Sequence, residues 1–317
     1  MSLPRVQRNR LPARRAALVA AAIAALALAG CDESGPDGAR VDGLAILSGD
    51  VGRTRLTVHD ATDAAGREVD VPDPATAWIS AAPGGVLVAT LADGRLAVGT
   101  VADDEGGWRF IEPSEETQPA GSLLFGAASP SGERVAALTL GAAGQFGVAV
   151  TELSSGASIV FPVAGDPVLT GPAWIDEERI AVVVEDAEVG GAISIAVIAS
   201  GDVTGGPGNV RAAAVSAAGA AAVWLSSVDG RLYGSNTSTW LAGQEIAALP
   251  VEAPTTDVRP GSFALDSGGT RLAVVWERDD GRVVEIAVHR RTADGWAVEA
   301  RLSSPADDPR AVVTWLR

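Results

Sequence analysis

Two stretches of this chain decide its fold: ASPSGERVAAL (residues 128–138) and LDSGGTRLAVV (residues 265–275). Each has a small or acidic residue, a glycine turn and then an apolar run of about five residues. Glycine and short polar residues favour tight turns, and an uninterrupted apolar run is typical of a strand buried on both faces. Weaker copies of this turn-and-run unit occur at ISAAPGGVLVATL (79–91), WIDEERIAVVV (174–184) and VSAAGAAAVWL (215–225).

Two further units flank the turn-and-run unit. An alternating strand follows it, with six copies that begin at Leu56, Leu96, Val148, Ile195, Leu232 and Ile286, so that consecutive copies lie 37 to 54 residues apart. An aromatic strand precedes it, marked by Trp78, Phe125, Trp174, Phe263 and Trp315. Three or four short strands in each repeat of about 40–50 residues are the pattern of a β-propeller blade.

One alanine-rich segment, RAAAVSAAGAAAVWL (211–225), conflicts with this pattern, because alanine is the best helix former. The blade spacing and the position of Gly219 in the turn favour two strands instead. We therefore predict strands here.

The two chain ends predict how the ring closes. The apolar run at residues 44–47 has no aromatic strand before it, and the last aromatic strand, around Trp315, has nothing after it. Pairing residues 311–316 with residues 44–47 would complete a sixth blade and remove two exposed sheet edges. The sequence thus predicts an all-β chain, with a six-bladed β-propeller over residues 43–317 that is closed by its N- and C-terminal strands.

The segment SPSGERVAA (129–137) resembles the blade repeat of TolB-type and WD-like propellers, whose signature is a Ser-Pro-Asp-Gly turn before an apolar strand. Ser131 stands where that signature has Asp. The resemblance covers most of residues 43–317, and it implies a role in assembly or sensing at the cell envelope.

The N-terminus has the pattern of an export signal. Residues 1–30 contain five arginines and no acidic residue, and the apolar run at residues 16–29 is shorter than the ~20 residues that a spanning helix needs. Leu28-Ala29-Gly30-Cys31 resembles the bacterial lipobox, which implies cleavage before Cys31 and attachment of lipid to its thiol. We predict a signal peptide at 1–30, a flexible tether at 31–42, and a lipid-anchored protein on the extracytoplasmic face of the cell membrane.

Charge restricts the partners. Without residues 1–30 the chain has 19 arginines, no lysine and 40 acidic residues, a net charge of −21. Binding of nucleic acid depends on neutralising phosphates, so a nucleic-acid partner is excluded. The expected partners are an envelope protein or a small ligand, besides the membrane itself, and the expected state is a monomer.

Residues that could carry chemistry are few. His59 and His289 occupy the same repeat position, which predicts solvent-facing strand ends that do not converge on a metal. The acidic stretches at 102–107, 175–179, 277–281 and 305–309 lack calcium-loop spacing and are interpreted as solvated turns. We expect no catalytic residue, no metal site and no cofactor.

Three tryptophans, Trp108, Trp240 and Trp296, fall in or near outer strands and are the candidates for an exposed contact surface. The resulting hypothesis is a membrane-anchored binding or scaffold lipoprotein that interacts with protein. The alternative is a propeller enzyme, a sugar-active or lactone-cleaving hydrolase with an acidic or metal-containing axial site. The axial channel distinguishes them, because the enzyme needs several acidic groups or histidines that converge there.

Overall fold

The computed structural model describes residues 43–50, 52–60, 66–101, 107–112, 121–141, 146–163, 171–185, 191–216, 218–238, 249–293, 295–302 and 310–316. This part of the chain forms six antiparallel sheets of four strands each, arranged as the blades of a propeller. It contains no helix that is long and apolar enough to cross a membrane. The predicted signal peptide and tether lie outside the described residues, so these two assignments stay predictions.

The first three blades contain the following strands. Blade 1 comprises β1 (Gly43–Ser48), β2 (Arg55–Asp60) and β3 (Arg67–Val69), together with the last strand of the chain, β24 (Ala311–Trp315). Blade 2 comprises β4 (Thr76–Ala82), a short 3-10 turn (Pro83–Gly85), β5 (Val86–Leu91), β6 (Leu96–Thr100) and β7 (Arg109–Ile111). Blade 3 comprises β8 (Gly121–Ala128), β9 (Arg134–Gly141), β10 (Phe146–Glu152) and β11 (Ser158–Pro162).

The other three blades follow the same order. Blade 4 comprises β12 (Ala173–Trp174), β13 (Arg179–Val184), β14 (Ala192–Val197) and β15 (Val203–Gly208). Blade 5 comprises β16 (Val210–Val215), β17 (Ala221–Ser226), β18 (Leu232–Asn236) and β19 (Leu249–Val251). Blade 6 comprises β20 (Val258–Leu265), β21 (Arg271–Arg278), β22 (Val283–Thr292) and β23 (Gly295–Leu302).

The ring closes as the sequence predicts. Strand β24 pairs with β1 in antiparallel register, with Trp315 opposite Leu44 and Ala311 opposite Ser48. The amide of Leu316 extends this ladder by donating to the carbonyl oxygen of Gly43 at 2.9 Å. The two ends of the propeller therefore form one sheet, and the predicted six-bladed propeller is confirmed.

The alanine-rich segment also forms strands as predicted, namely β16 and β17. Gly219 lies in the turn between them at φ +68°, and a Cβ at this position would lie 2.1 Å from the carbonyl oxygen of Ile175 in blade 4. Only glycine combines that backbone conformation with so close an approach. The turn and the contact between blades outweigh the helical preference of the alanines.

The core consists of six apolar layers, and each layer lies between two neighbouring blades. Blades 6 and 1, for example, share a layer that contains Leu44, Trp315 and Val275, all of them at most 2% exposed. The other five pairs of neighbours have equivalent layers. Both faces of a blade are therefore covered by its neighbours.

This covering corrects the interpretation of the two histidines. His59 and His289 are 9% and 1% exposed, so the prediction of solvent-facing strand ends is wrong. The residues that alternate with the core valines point at the next blade and not at solvent. The ring of His289 lies edge-on to Trp276 at a centroid distance of 6.3 Å. Burial, together with the charge of Arg301, lowers the pKa of His289 to about 4, although Glu285 acts in the opposite direction.

Candidate functional site

Every blade contributes residues to the wall of a channel along the axis of the ring. The first strands of blades 2 to 6 and the closing strand β24 line a cavity of about 210 Å³, here called the narrow chamber. It lies where these innermost strands end, and its wall contains many small side chains and three indole rings. Representative lining residues are Ala81, Ala128, Trp174, Ala213, Ala264 and Trp315.

A second cavity of about 460 Å³, here called the wide chamber, lies where the innermost strands begin. Trp78, Gly261 and Ser262 belong to the walls of both chambers. The wide chamber is mainly apolar, and it also contains one acidic and one basic side chain. Its characteristic residues are Trp78, Leu91, Leu124, Phe125, Glu277 and Arg310.

Side-chain hydroxyls join neighbouring innermost strands around the channel. The Val313 amide donates to Ser262 Oγ at 3.3 Å, which links blades 6 and 1. Thr314 Oγ1 accepts the Ala81 amide at 3.1 Å, and Ser80 Oγ accepts the Ala128 amide at 3.0 Å, which links blades 1 to 2 and 2 to 3. These hydroxyls satisfy amides at the inner edges of the sheets, so their role is to hold the ring together.

Two tryptophans extend the same pattern. Trp174 Nε1 donates to the Ala127 carbonyl oxygen at 2.8 Å, and Trp315 Nε1 donates to the Ala264 carbonyl oxygen at 3.0 Å. Each is the last residue of its innermost strand, and each contacts the preceding blade. These bonds and the burial of both side chains show that Trp174 and Trp315 pack between blades.

The aromatic wall of the wide chamber depends on a local irregularity. Strand β8 shifts register between Leu124 and Ala127, and Phe125 adopts φ +55° within this bulge. Bulges bend a strand and redirect its side chains. The Phe125 ring thereby meets Trp78 edge-on at 5.2 Å, so that two aromatic side chains from neighbouring blades face the chamber.

Glu277 and Arg310 provide the charges of the wide chamber. The carboxylate of Glu277 lies over Gly261, where a Cβ would come within 2.1 Å of the carboxyl carbon. Burial raises the pKa of Glu277, and the positive charges of Arg259 and Arg310 offset this effect only in part. The Arg310 guanidinium donates to the Ala77 carbonyl oxygen, and burial lowers its pKa.

Glu177, in the acidic turn at residues 175–179, is bound by side-chain and backbone donors of the neighbouring blade. Glu177 receives hydrogen bonds from Arg134 Nη2 at 2.8 Å and from the Ser131 amide at 2.5 Å, both in blade 3. Burial raises the pKa of Glu177, but these hydrogen bonds outweigh it and leave the pKa lowered. In the described part of the chain, no group of three or more His, Cys, Asp or Glu side chains could hold a metal ion.

Two of the three tryptophans proposed as a contact surface are described, and both are half-buried. Trp108 donates from Nε1 to the Asp70 carbonyl oxygen at 2.8 Å, and its ring covers Gly99. Trp296, in blade 6, packs against Gly234 of blade 5. A contact role for these residues stays a prediction. Trp240 lies outside the described residues, as do Leu28, Ala29, Gly30 and Cys31.

Solved structures resemble this chain in fold. TolB from Acinetobacter baumannii is 14% identical with a TM-score of 0.63. The match covers 96% of the present chain and 74% of the TolB chain. A protein assigned as TolB from Agrobacterium tumefaciens is 16% identical with a TM-score of 0.58, covering 87% of this chain and 98% of its own. A chain of a nidogen/laminin complex is 12% identical with a TM-score of 0.60. The match covers 87% of the present chain and 99% of the nidogen/laminin chain. At these identities the likeness shows a shared propeller fold.

No protein-family model matches the sequence, and no curated protein matches it.

Proposed function

We propose that this chain is a lipid-anchored binding scaffold on the extracytoplasmic face of the cell membrane, where its propeller docks an envelope protein over the axial channel. Cys31 carries the lipid in this proposal, and residues 32–42 separate the anchor from the propeller. The lipobox-like sequence at residues 28–31 supports the anchor. The propeller fold, shared with TolB structures, supports a binding role.

The observation that carries the binding role is the construction of the channel. Every blade contributes an innermost strand to its wall, and neighbouring strands are joined by hydrogen bonds such as those to Ser80 and Thr314. A surface held in this way loses little conformational entropy when a partner binds, which favours affinity. Small side chains along the wall leave room for a side chain of the partner.

The enzyme alternative receives less support from the described residues. Glycosidic cleavage uses two carboxyl groups that face each other across the substrate, and a catalytic zinc site uses about three protein ligands. Among the residues that the structure describes, the lining of the two chambers contains a single acidic side chain, Glu277, and no histidine. Both histidines are instead buried within blades 1 and 6.

Replacement of the cysteine tests the anchor. In the native host, we expect the unaltered protein in the membrane fraction, with a mass that includes a diacylglycerol on the N-terminal peptide of the mature chain. A Cys31→Ser variant should lose this mass and leave the membrane fraction. A variant that remains membrane-bound would overturn the anchor and leave the binding role to be judged separately.

Site-specific crosslinking tests where a partner binds. A photo-reactive phenylalanine analogue replaces Ala212, which lines the narrow chamber, or Val228, which is 75% exposed on a turn of the same blade outside the lining. We expect one envelope protein to crosslink from position 212 and not from position 228. Crosslinking from position 228 alone, or from neither position, contradicts docking over the channel.

A further inference from the structure

The wide chamber contains a carboxylate and a guanidinium that face the same space without pairing. Glu277 and Arg310 both line it, but no ion pair within 4.0 Å joins Glu277 to a cation in the described part of the chain. Arg259 lies opposite Glu277 in the β20–β21 register, and its side chain is exposed. The two charges of the chamber therefore influence each other without forming an ion pair.

The two hydroxyl side chains of this chamber already have structural partners. Thr90 Oγ1 accepts the Gly126 amide at 2.9 Å, and Ser262 Oγ accepts the Val313 amide. Glu277 accepts no hydrogen bond from the described residues. The Arg310 guanidinium has five N–H donors, and one of them donates a hydrogen bond to a described residue, at the Ala77 carbonyl oxygen. Glu277 is half-buried, and a carboxylate that is partly withdrawn from water without hydrogen bonds would gain from a bound donor.

The rest of the wall is apolar and fits a small ligand in size. Trp78, Leu91, Leu124, Phe125 and Val312 supply most of it. The volume of about 460 Å³ lies within the range of about 300–1,000 Å³ that is typical of small-molecule pockets. An apolar cavity with a few convergent polar groups is the usual form of such a site.

We propose that the wide chamber binds a small zwitterion with an apolar side group, the chemistry of a free apolar α-amino acid. Its ammonium group pairs with Glu277, its carboxylate pairs with Arg310, and its side group packs against Trp78 and Phe125. A ligand with only one charge would leave one of the two half-buried groups uncompensated. This site goes beyond the docking of an envelope protein and needs no partner protein.

Calorimetric titration of the purified protein tests the requirement for both charges. The probes are L-phenylalanine, N-acetyl-L-phenylalanine, which lacks the cation, and L-phenylalaninamide, which lacks the anion. We expect phenylalanine to bind at one site per chain and both derivatives to bind at least tenfold more weakly. Absence of phenylalanine binding, or equal binding of all three probes, overturns the proposal.

A pair of glutamate variants tests where the zwitterion binds. Glu277→Gln removes the charge and keeps the size, whereas Glu178→Gln makes the same change on an exposed turn of blade 4. We expect at least tenfold weaker phenylalanine binding for E277Q and unchanged binding for E178Q. Unchanged binding in a folded E277Q protein excludes this chamber. The comparison of probes needs no variant, so it decides the matter even if E277Q does not fold.

Discussion

Replacing Trp315 by alanine tests whether the closing strand contributes to the stability of the whole ring. Trp315 is 2% exposed, packs between blades 6 and 1, and donates an indole hydrogen bond to Ala264 at 3.0 Å. Removal of a buried aromatic side chain costs about 3–5 kcal/mol. At about 2–4 °C per kcal/mol for a domain of this size, Trp315→Ala should lower Tm by about 6–20 °C.

The assay is thermal and urea unfolding of the purified protein, combined with hydrogen exchange. Trp174→Ala is the matched control, because Trp174 occupies the same position in blade 4, is 5% exposed and makes the same kind of bond to blade 3. We expect similar losses of stability, with faster amide exchange in β1 and β24 for W315A and in β8 and β12 for W174A. A fall of less than about 2 °C in W315A would refute the role of the chain ends in closing the ring.

Three further predictions concern single side chains. The pKa of His289 is about 4 in the folded protein, below its ordinary value of 6.5, so the unfolded chain binds a proton first as the pH falls. The free energy of unfolding should therefore drop by up to about 3 kcal/mol between pH 6.5 and pH 4. Urea unfolding at several pH values should show a smaller drop for His289→Phe. Gly219→Ala should destabilise by about 2 kcal/mol more than Gly201→Ala in urea unfolding, because both have positive φ but only position 219 has a backbone oxygen at 2.1 Å. Ser80→Ala should cost about 1–3 kcal/mol in the same assay, since it leaves an amide of blade 3 without its acceptor; no measurable loss would remove the hydroxyl links from the account of ring stability.

One of the acidic stretches shows which feature of the site the sequence does not predict. The sequence predicts a solvated turn at residues 277–281, and Asp280 does lie on an exposed turn beside Arg282. Glu277 differs because it is still within β21, where Gly261 on the next strand leaves space for its carboxylate at the channel wall. In the sequence, Gly261 is the feature that could have pointed to the position of Glu277. Its significance depends on the register between β20 and β21, which the spacing of residues in the sequence does not give.

The sequence by itself determined the number of blades, the three repeated strand units of a blade and the pairing of the two chain ends. These features follow from local periodicity, since five of the six blades are each built from consecutive residues and the incomplete units at the two chain ends complete the sixth. Only the tertiary structure decided which side chains face a neighbouring blade, which is why His59 and His289 are buried. It also decided that Glu277 and Arg310 meet at one chamber. The physical reason is that the axis gathers a few residues from each of six blades, and their relative placement depends on stacking between blades.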